Sequence, residues 1–416
     1  MREQEFIRLL DSIREGTTEP HILREFLTSV ASFGLPHFRT ASLALAIADS
    51  GPRLATRDLG LTSNVHSTGG PGSLSTLLAP ILVAAAGFSV PLLSVQSSVA
   101  GAIDSLKAIP GYKTHLGPEQ VREVVRTAGL SHIGHGTAGF APADSVLWSY
   151  RAETGTKKIP ELIAASLLGK QVAMGVRHGS VDIRVGVEGN AGKSLDAATE
   201  TARVIIGVAS ILGMRINCTL SNLHSIQWSR IGRIDAVLST WEILSEPANF
   251  LAHPHVRDCI LIAACACHAS APSTELSAWI QQIATTLRNR RALALFERSI
   301  AAHGAAANAR RESELQAVSR PRVHLKIANE PTPTQVSAWF KKMRALVKAP
   351  ADNALGIELS ENGTVVLSVP AECADLLEKA KATLEECVMH CKTDEIDGPG
   401  FKTTILSYDH RLFHSE

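Results

Sequence analysis

The chain has few aromatic side chains and almost no excess of charge. Phenylalanine, tryptophan and tyrosine make up 5% of its 416 residues, so it lacks the stacking platforms that bind single-stranded nucleic acid. Lysine plus arginine number 41, and aspartate plus glutamate number 40. A net charge of +1 creates no field for a nucleic acid or an anionic membrane. We therefore expect a small-molecule ligand, with no nucleic acid and no membrane among the partners.

The sequence also lacks a segment that would span or reach a membrane. Its longest apolar run, 77–88, is too short to cross a bilayer and contains Pro80. The opening Met-Arg-Glu-Gln-Glu-Phe does not have the layout of a signal peptide. Seven cysteines, an odd number scattered along the chain, are typical of a reducing compartment rather than of a disulfide framework. We therefore expect a cytoplasmic protein.

The length of the chain and its pattern of apolar residues predict an α/β protein of two or three domains. Residues 1–64 carry apolar side chains at helical spacing and predict a small N-terminal helical lobe. Residues 65–245 alternate strand-length and helix-length segments, and 246–315 have a mostly helical pattern. Together they predict a larger α/β domain over 65–320 with a mainly parallel sheet. Part of the helical lobe could return within that segment. Residues 321–416 predict a small C-terminal α/β domain with a hairpin over 356–369.

One stretch, Val65–Gly72, reads Val-His-Ser-Thr-Gly-Gly-Pro-Gly and precedes the long apolar run. Its glycines and hydroxyls suit a loop whose backbone N–H groups approach an anion at the start of a helix. A Gly-rich turn that binds nothing is the alternative. We predict an anion-binding loop whose candidate ligand-binding residues are Ser67, Thr68, Gly69 and Gly70.

His66 lies inside this stretch and is a candidate catalytic residue. An unperturbed imidazole titrates near neutral pH, so it can donate a proton to a leaving group. The alternative is a loop histidine that only satisfies a backbone carbonyl.

A second cluster consists of Arg151, Ser166 and Lys170. The serine and the lysine are four residues apart in an apolar, helix-length segment, so they share one helix face. With the arginine they suit a planar heterocycle that carries carbonyl oxygens and a ring N–H. The two cations could also stabilise negative charge on a departing heterocycle. A solvated stripe is the alternative.

A third polar segment extends from Ser94 to Asp104 and includes Ser98. Its hydroxyls could extend the anion pocket, and a simple strand–helix turn is the alternative. Histidines and cysteines between His253 and His268 invite a metal interpretation, but their spacing matches no zinc module. We predict no metal site.

These elements, in this order, resemble the pyrimidine nucleoside phosphorylase family, which includes thymidine phosphorylase and the archaeal nucleotide phosphorylases. The resemblance covers residues 3–245. Residues 65–70 are similar to the family's Lys-His-Ser-Thr-Gly-Gly loop, and residues 98–104 to the Ser-Pro-Ala-Gly-Thr-Ala-Asp segment of the archaeal branch. Residues 182–186 are similar to its Asp-Val-Lys-Val-Gly strand. The residues that match its base-binding positions are Arg151, Ser166 and Lys170.

The resemblance implies a substrate cleft between a helical lobe and an α/β lobe, and a homodimer formed through the N-terminal helical lobe. It implies that Arg151, Ser166 and Lys170 hold a pyrimidine, while His66 protonates or hydrogen-bonds the base carbonyl. Phosphate would attack C1′ and give free base and sugar 1-phosphate. Phosphate is therefore the expected co-substrate, and no metal or organic cofactor is implied.

The phosphate half of the site departs from the family pattern, whereas the base half follows it. Val65 stands where the family has a lysine, and Ala102 where it has a threonine that also contacts phosphate. Ser67, Thr76 and Ser94 remain as candidate phosphate ligands. The loss of the lysine removes a positive charge from the expected anion site.

Three functions are compatible with this pattern. The first is phosphorolysis of a pyrimidine nucleoside or nucleotide. The second is a phosphate-independent reaction on the same fold, either hydrolysis of the nucleoside or transfer between a base and another sugar. The third is a catalytically silent protein that binds nucleosides.

Overall fold

The computed structural model describes residues 1–70, 73–95, 101–135, 139–189, 191–192, 194–326, 331–346, 355–360, 364–389, 403–407 and 412–414. Within these ranges, no helix is both long enough and apolar enough to cross a membrane. The helices are α1 (Glu3–Glu15), α2 (Pro20–Phe33), α3 (His37–Ala48), α4 (Ser75–Ala85), α5 (Ala102–Lys107), α6 (Pro118–Ala128), α7 (Pro142–Glu153), α8 (Pro160–Ala173), α9 (Leu195–Ile211), α10 (Arg233–Ser245), α11 (Pro254–Ser270), α12 (Leu276–Arg288), α13 (Arg291–Ala302), α14 (Ala309–Val318), α15 (Pro333–Leu346) and α16 (Leu377–Met389). The strands are β1 (Asn64–Ser67), β2 (Val90–Ser94), β3 (Leu130–Gly134), β4 (His178–Val185), β5 (Arg215–Asn222), β6 (Arg230–Gly232), β7 (Arg322–Lys326), β8 (Gly356–Ser360), β9 (Thr364–Ser368), β10 (Thr404–Leu406) and β11 (Leu412–His414).

The helical part of the molecule is built from two separate stretches of chain. Helices α1 to α3 come first, and α7 to α9 return to pack against them around one apolar core. Helices α3 and α8 approach very closely at Gly169, where a Cβ atom would lie 2.9 Å from the carbonyl oxygen of Ala44. Glycine is therefore required at this crossing. The packing fixes α7 and α8, which carry Arg151, Ser166 and Lys170, to the N-terminal helices.

The central sheet has the strand order β1-β4-β5-β10-β11. Strands β1, β4 and β5 are parallel, β10 pairs antiparallel with β5, and β11 pairs antiparallel with β10. Strands β2 and β3 form a second parallel pair. The prediction of a mixed α/β fold with a mainly parallel sheet is therefore confirmed.

Two helices cover the central sheet, one on each face. In β4, Val181 and Ile183 join the apolar core that contains α9. Ser180 instead donates a hydrogen bond of 2.9 Å to the carbonyl of Ile262 in α11. Because neighbouring side chains of a strand point to opposite faces, α9 and α11 lie on opposite sides of the sheet. Residues 254–270 thus complete the core under the site.

The loop predicted over Val65–Gly72 begins as a strand, so that prediction was wrong at its first residues. Strand β1 extends to Ser67, and its His66 lies opposite Val181 of β4 in the parallel register. The polar residue that opens the strand, Asn64, is fully buried, and its amide donates to the carbonyl of Pro91 at 2.8 Å. Its Oδ1 has no partner among the described residues. A buried polar side chain at the first position of the strand concealed the strand in the sequence.

The C-terminal segment forms an antiparallel sheet of order β6-β8-β9-β7. Its core contains Phe340 of α15 together with Ile231, Ile357 and Leu367. The predicted hairpin strands are confirmed as β8 and β9, while the turn between them, 361–363, lies outside the described residues. Strand β6 comes from an earlier part of the chain and pairs with β8, so this sheet is joined to the larger α/β region.

Candidate active site

A cavity of about 550 Å³ opens near the carboxyl ends of β1 and β2. Ligands of parallel α/β sheets bind at this edge. Helices α7 and α8 and the start of α4 complete its wall, and α15 contributes Ser337 and Lys341. Ser98 lies outside the described residues. The other predicted site residues all line the cavity: His66, Ser67, Thr68, Gly69, Gly70, Thr76, Ser94, Arg151, Ser166 and Lys170.

His66 is buried in the floor of the cavity on strand β1. Its Nε2 atom has no hydrogen-bond partner among the described residues. Burial, the positive charge of Lys170 and the neighbouring His132 lower the pKa of His66 to about 3. The expectation that this imidazole titrates near neutral pH is therefore wrong, because burial penalises its charged form. At pH 7 it can offer a hydrogen bond from a neutral ring, not a proton from an imidazolium.

The loop after β1 needs its two glycines. Gly69 has a φ of +85° and Gly70 a φ of +142°, both in the range that side chains rarely adopt. A Cβ atom on Gly70 would also lie 2.5 Å from the Cδ2 atom of Leu223. The backbone of this loop can therefore line the cavity only without side chains at these positions.

An arginine that was not predicted as a site residue holds the loop in place. Arg184 of β4 is buried, lines the cavity and donates to the Gly70 carbonyl at 3.0 Å and to Ser75 Oγ at 2.7 Å. Its Nε atom lies 3.1 Å from Asp182 Oδ2. Ser75 also donates to Asp182, at 2.7 Å, and Thr68 N–H donates to the carbonyl of Asp182 at 2.9 Å. Strand, loop and helix start are thus joined in one polar network.

Ser166 and Lys170 share one face of α8, as their spacing predicts, and that face is not solvated. Lys170 is 3% exposed and Ser166 6% exposed, so the alternative of a solvated stripe is wrong. Lys170 Nζ donates to Ser166 Oγ at 2.6 Å and to Asp144 Oδ2 at 2.8 Å. His135 Nε2 lies 3.2 Å from the same carboxylate oxygen. The lysine is therefore held in one position by neighbours on two helices.

The charges of this buried pair depend on each other. Burial lowers the pKa of Lys170, while Asp144 counteracts the shift. Burial alone would raise the pKa of Asp144, but Lys170 and His135 together hold it well below its usual range. The carboxylate is consequently ionised at neutral pH, and it favours the charged form of the lysine. The site therefore holds a buried Lys170–Asp144 pair at the wall of the cavity.

Arg151 of α7 is also buried, at 3% exposure. Its Nη2 donates to the backbone carbonyl of Lys157 at 2.8 Å, and its guanidinium lies 5.6 Å from the ring centre of Trp148. Its Nε atom has no partner in the part of the chain that is described. Burial lowers the pKa of Arg151 to about 10, so the group stays charged at pH 7. A buried cation with an unused donor therefore lines the cavity.

Ser94 and Val65 also line the cavity, one with a polar and the other with an apolar side chain. Ser94 Oγ lies 2.8 Å from Nε2 of His132, whose pKa burial lowers to about 3. Val65 is 1% exposed and packs into the apolar core around α4. The position where the resembling family has a lysine is thus an apolar part of the cavity wall.

The histidines and cysteines after residue 250 have structural roles. His255 Nε2 accepts the backbone N–H of Leu74 at 2.8 Å, just before α4 begins. Cys259 Sγ lies 4.0 Å from the same nitrogen. Among the described residues, no three or more His, Cys, Asp or Glu side chains are grouped as a metal site would need.

Arg184 and Asp144 could have been found from the sequence by their spacing. Arg184 lies two residues after Asp182 in a strand, so the two charges share one face. Asp144 lies seven residues before Arg151, two turns along the same helix. His135 carried no such signal, because it follows a different strand and approaches Asp144 only in the folded chain.

No protein-family model matches the chain. It is 31% identical over 309 residues to a thymidine phosphorylase of Mesorhizobium japonicum. The matched segment covers 73% of this chain and 69% of that protein. The chain belongs to the thymidine phosphorylase family. It is also 33% identical over 239 residues to the thymidine phosphorylase of Agrobacterium fabrum, where the match covers 56% of this chain and 53% of that protein. The chain thus spans only about half the length of that second member of the family.

The same fold occurs in a solved structure of low sequence identity. An anthranilate phosphoribosyltransferase from Thermus thermophilus superposes with a TM-score of 0.60, over 73% of this chain and 96% of that chain. The sequence identity is 18%, so this similarity concerns the fold alone. It agrees with the mixed α/β fold that the sequence predicted.

Proposed function

We propose that this protein is a pentosyltransferase that cleaves the N-glycosidic bond of a pyrimidine nucleoside with phosphate, giving base and sugar 1-phosphate. One observation carries the proposal. A single cavity brings together a Gly-rich loop on one side and Arg151, Ser166 and Lys170 on the other. We call Arg151, Ser166 and Lys170 the base end of the cavity. The phosphate end comprises Ser67, Thr68, Gly69, Gly70, Thr76 and Ser94.

The base end has donors to spare for a heterocycle. An ammonium group has three N–H donors, and Lys170 uses two of them, on Asp144 and Ser166. The third can reach a base carbonyl. Because Ser166 accepts from the lysine, its own O–H is available to the ring. The charges of Lys170 and Arg151 then stabilise the negative charge that develops on the base as the C–N bond breaks.

In this proposal His66 acts as a neutral hydrogen-bond donor to a base carbonyl. Its unpartnered Nε2 suits that role, and its low pKa disfavours the alternative role as a proton donor. As the glycosidic bond breaks, its electron pair passes into the base. The electronegative carbonyl then accepts a stronger hydrogen bond from the imidazole than it does in the intact nucleoside.

The N–H groups of Thr68 and Gly69 already donate within the protein, so the phosphate end would hold the nucleophile with the N–H of Gly70, hydroxyls and the guanidinium of Arg184. Arg184 has two nitrogens at the loop, one on the Gly70 carbonyl and one on Ser75 Oγ. Each terminal guanidinium nitrogen carries two N–H groups, so each retains one for an oxyanion. We propose that this arginine supplies the positive charge that Val65 does not.

Incubation of the purified protein with uridine, thymidine, cytidine and their 5′-monophosphates, with and without phosphate, tests the reaction. We expect base release only with phosphate, together with stoichiometric sugar 1-phosphate. The curated relatives favour this reaction over the phosphate-independent ones. Base release without phosphate would contradict the proposal, and ligand-induced stabilisation without turnover would point to a silent binding protein. Lys170→Ala serves as the inactive control.

We further propose a homodimer formed through the N-terminal helices. These helices expose large apolar side chains, with Phe33 88%, Phe38 61% and Ile7 50% exposed. Exposed apolar groups on one part of a surface are typical of an interaction site. Light scattering on a size-exclusion column should give a dimer mass. The double variant Phe33→Asp/Phe38→Asp should be a monomer, whereas Leu315→Asp, at a 52% exposed leucine of α14, should not. A dimer that survives the double variant would refute this interface.

A further inference from the structure

Beside the base end, the cavity is lined by positive charges in addition to those of Lys170 and Arg151, which the proposed reaction uses. Arg151 and Lys157 both lie beside the ring of Trp148, with their charged groups 5.6 Å and 4.5 Å from its centre. Lys341 of α15 lines the same cavity. Its ammonium is 3.7 Å from Glu188, the carboxylate of this rim. We call Arg151, Lys157 and Lys341 the cationic rim.

Lys157, like Arg151, forms no ion pair among the described residues, and the partner of its ammonium there is the face of the Trp148 ring. Its Nζ also makes no hydrogen bond there. The residue is half-buried, and burial together with repulsion from Arg151 and Lys341 lowers its pKa. Its neighbour Lys158 differs, because it is exposed and donates to the carbonyl of Val187 at 2.9 Å.

The fold holds Lys157 next to a second underused cation. The carbonyl of Lys157 accepts the hydrogen bond from Arg151 Nη2, so the turn and the guanidinium are fixed to each other. The Nε atom of that buried guanidinium has no partner within the described ranges. Two like charges held together in a partly dry cavity are costly unless a ligand supplies the opposite charge. Unpaired charges at such places are typical of binding sites.

We propose that the cationic rim binds a negatively charged substituent of the substrate, with Lys157 as its direct ion-pair partner. The chemistry fits a carboxylate on the pyrimidine ring or a phosphate on the 5′ carbon of the sugar. This inference rests on the proposed function only in taking the ligand to be a pyrimidine nucleoside. It makes Lys157 a specificity-determining residue: the rim selects the charged substrate, while the base end binds the ring.

Equilibrium binding of three probes tests the inference without any turnover. Uridine, uridine 5′-monophosphate and 6-carboxyuridine are titrated by calorimetry, with saturating sulfate in place of phosphate, so that the phosphate end holds an oxyanion and no phosphorolysis occurs. We expect one of the two charged probes to bind about tenfold more tightly than uridine, the size of one charge-assisted hydrogen bond. Preference for the monophosphate identifies the sugar phosphate as the group that is bound, and preference for the carboxylate identifies the base.

The variant Lys157→Gln should remove this preference, and Lys342→Gln should keep it. Lys342 is an exposed lysine of α15 that does not line the cavity, so the control removes the same charge from the same region. Equal affinity of the wild type for all three probes would overturn the inference, as would a preference that survives Lys157→Gln. Failure of the proposed function looks different, since the charged probe would then bind selectively while phosphate released no base.

Discussion

The base end and the phosphate end of the cavity each contain a buried cation paired with a carboxylate. Lys170 is paired with Asp144 at 2.8 Å, and Arg184 with Asp182 at 3.1 Å. The lysine stands on a helix and keeps a donor for the ligand. The arginine stands on a strand, and each of its three nitrogens donates to the protein. In our proposal Lys170 chiefly binds the ligand, whereas Arg184 also fixes the conformation of the loop through its hydrogen bonds.

This difference affects what is expected of Val65, which stands where the resembling family has a lysine. The base end relies on side chains of α7 and α8, so changes there should act directly on ligand binding. The phosphate end relies on backbone groups whose position depends on Arg184, Asp182 and Ser75. Val65 supplies no charge at this end, while the loop is held by the hydrogen bonds of Arg184. Substitutions at the two ends should therefore have separable effects.

The largest effect is expected at the base end, from Lys170→Met. We expect a loss of activity of about 10³-fold or more, because the positive charge beside the departing base is removed. The stability to urea should fall by about 3 to 5 kcal/mol, since Asp144 is left buried without its partner. The double variant Lys170→Met/Asp144→Asn should recover most of the stability and none of the activity. Recovery of activity in the double variant would show that the lysine acts only through folding.

At the phosphate end, Arg184→Lys keeps the charge but loses the fork of hydrogen bonds. We expect the KM for phosphate to rise about tenfold, while the KM for the nucleoside changes less than about twofold. Arg203→Lys, at an exposed arginine of α9, is the matched control and should change neither constant. An equal rise in both KM values would mean that the arginine supports the whole cavity and not the phosphate end.

A smaller effect concerns pH, through two buried histidines: His66 lines the cavity, and His255 supports the chain just before α4. Burial is the main cause that lowers the folded-state pKa of His66 and of His255 to about 3, from an ordinary value of 6.5. The unfolded chain therefore takes up protons first, and the stabilisation is complete above pH 6.5 and is lost as the pH falls toward 3. Between pH 7.5 and 5.5 each should contribute a loss of about 1 kcal/mol.

Urea unfolding of the wild type, His66→Asn and His255→Asn at both pH values measures these contributions. Each variant should show a shallower pH dependence than the wild type by the amount given. Burial also lowers the pKa of His132 to about 3. This histidine should therefore maintain part of the loss of stability at low pH in both variants. Asp258 acts in the opposite direction, because burial raises its pKa to about 6. Unchanged pH dependence in His66→Asn would mean that the pKa of this imidazole is the same in the folded and the unfolded protein.

The smallest effect is expected from Val65→Lys. The new ammonium would reach the cavity from β1, and we expect the affinity for phosphate to rise about threefold. The gain is limited because Arg184 already supplies a charge there and because a buried apolar contact is lost. Val65→Met, of similar length without charge, is the control. No difference between the two variants in phosphate affinity or turnover would count against the loop as an anion site.

Much of the fold followed from the sequence, because its signals are local. The alternation of strand-length and helix-length segments predicted the parallel sheet, and the hairpin predicted over 356–369 is formed by β8 and β9. Strand β1 did not follow, since its first residue is a buried asparagine whose amide donates to Pro91, a contact 27 residues away. The joining of β6 to the C-terminal sheet is likewise a long-range pairing that no local pattern encodes.

Two features of the site follow from the sequence alone. They are a Gly-Gly loop after His66, and Ser166 and Lys170 four residues apart on one helix face. These follow from backbone sterics and helix geometry, which each short segment carries with it. Only the tertiary structure decided the charge states. Burial makes His66 neutral, and Asp144 counteracts the same penalty at Lys170. Desolvation and ion pairing depend on every element packed around a group, so they exist only once β1, α7 and α8 have come together.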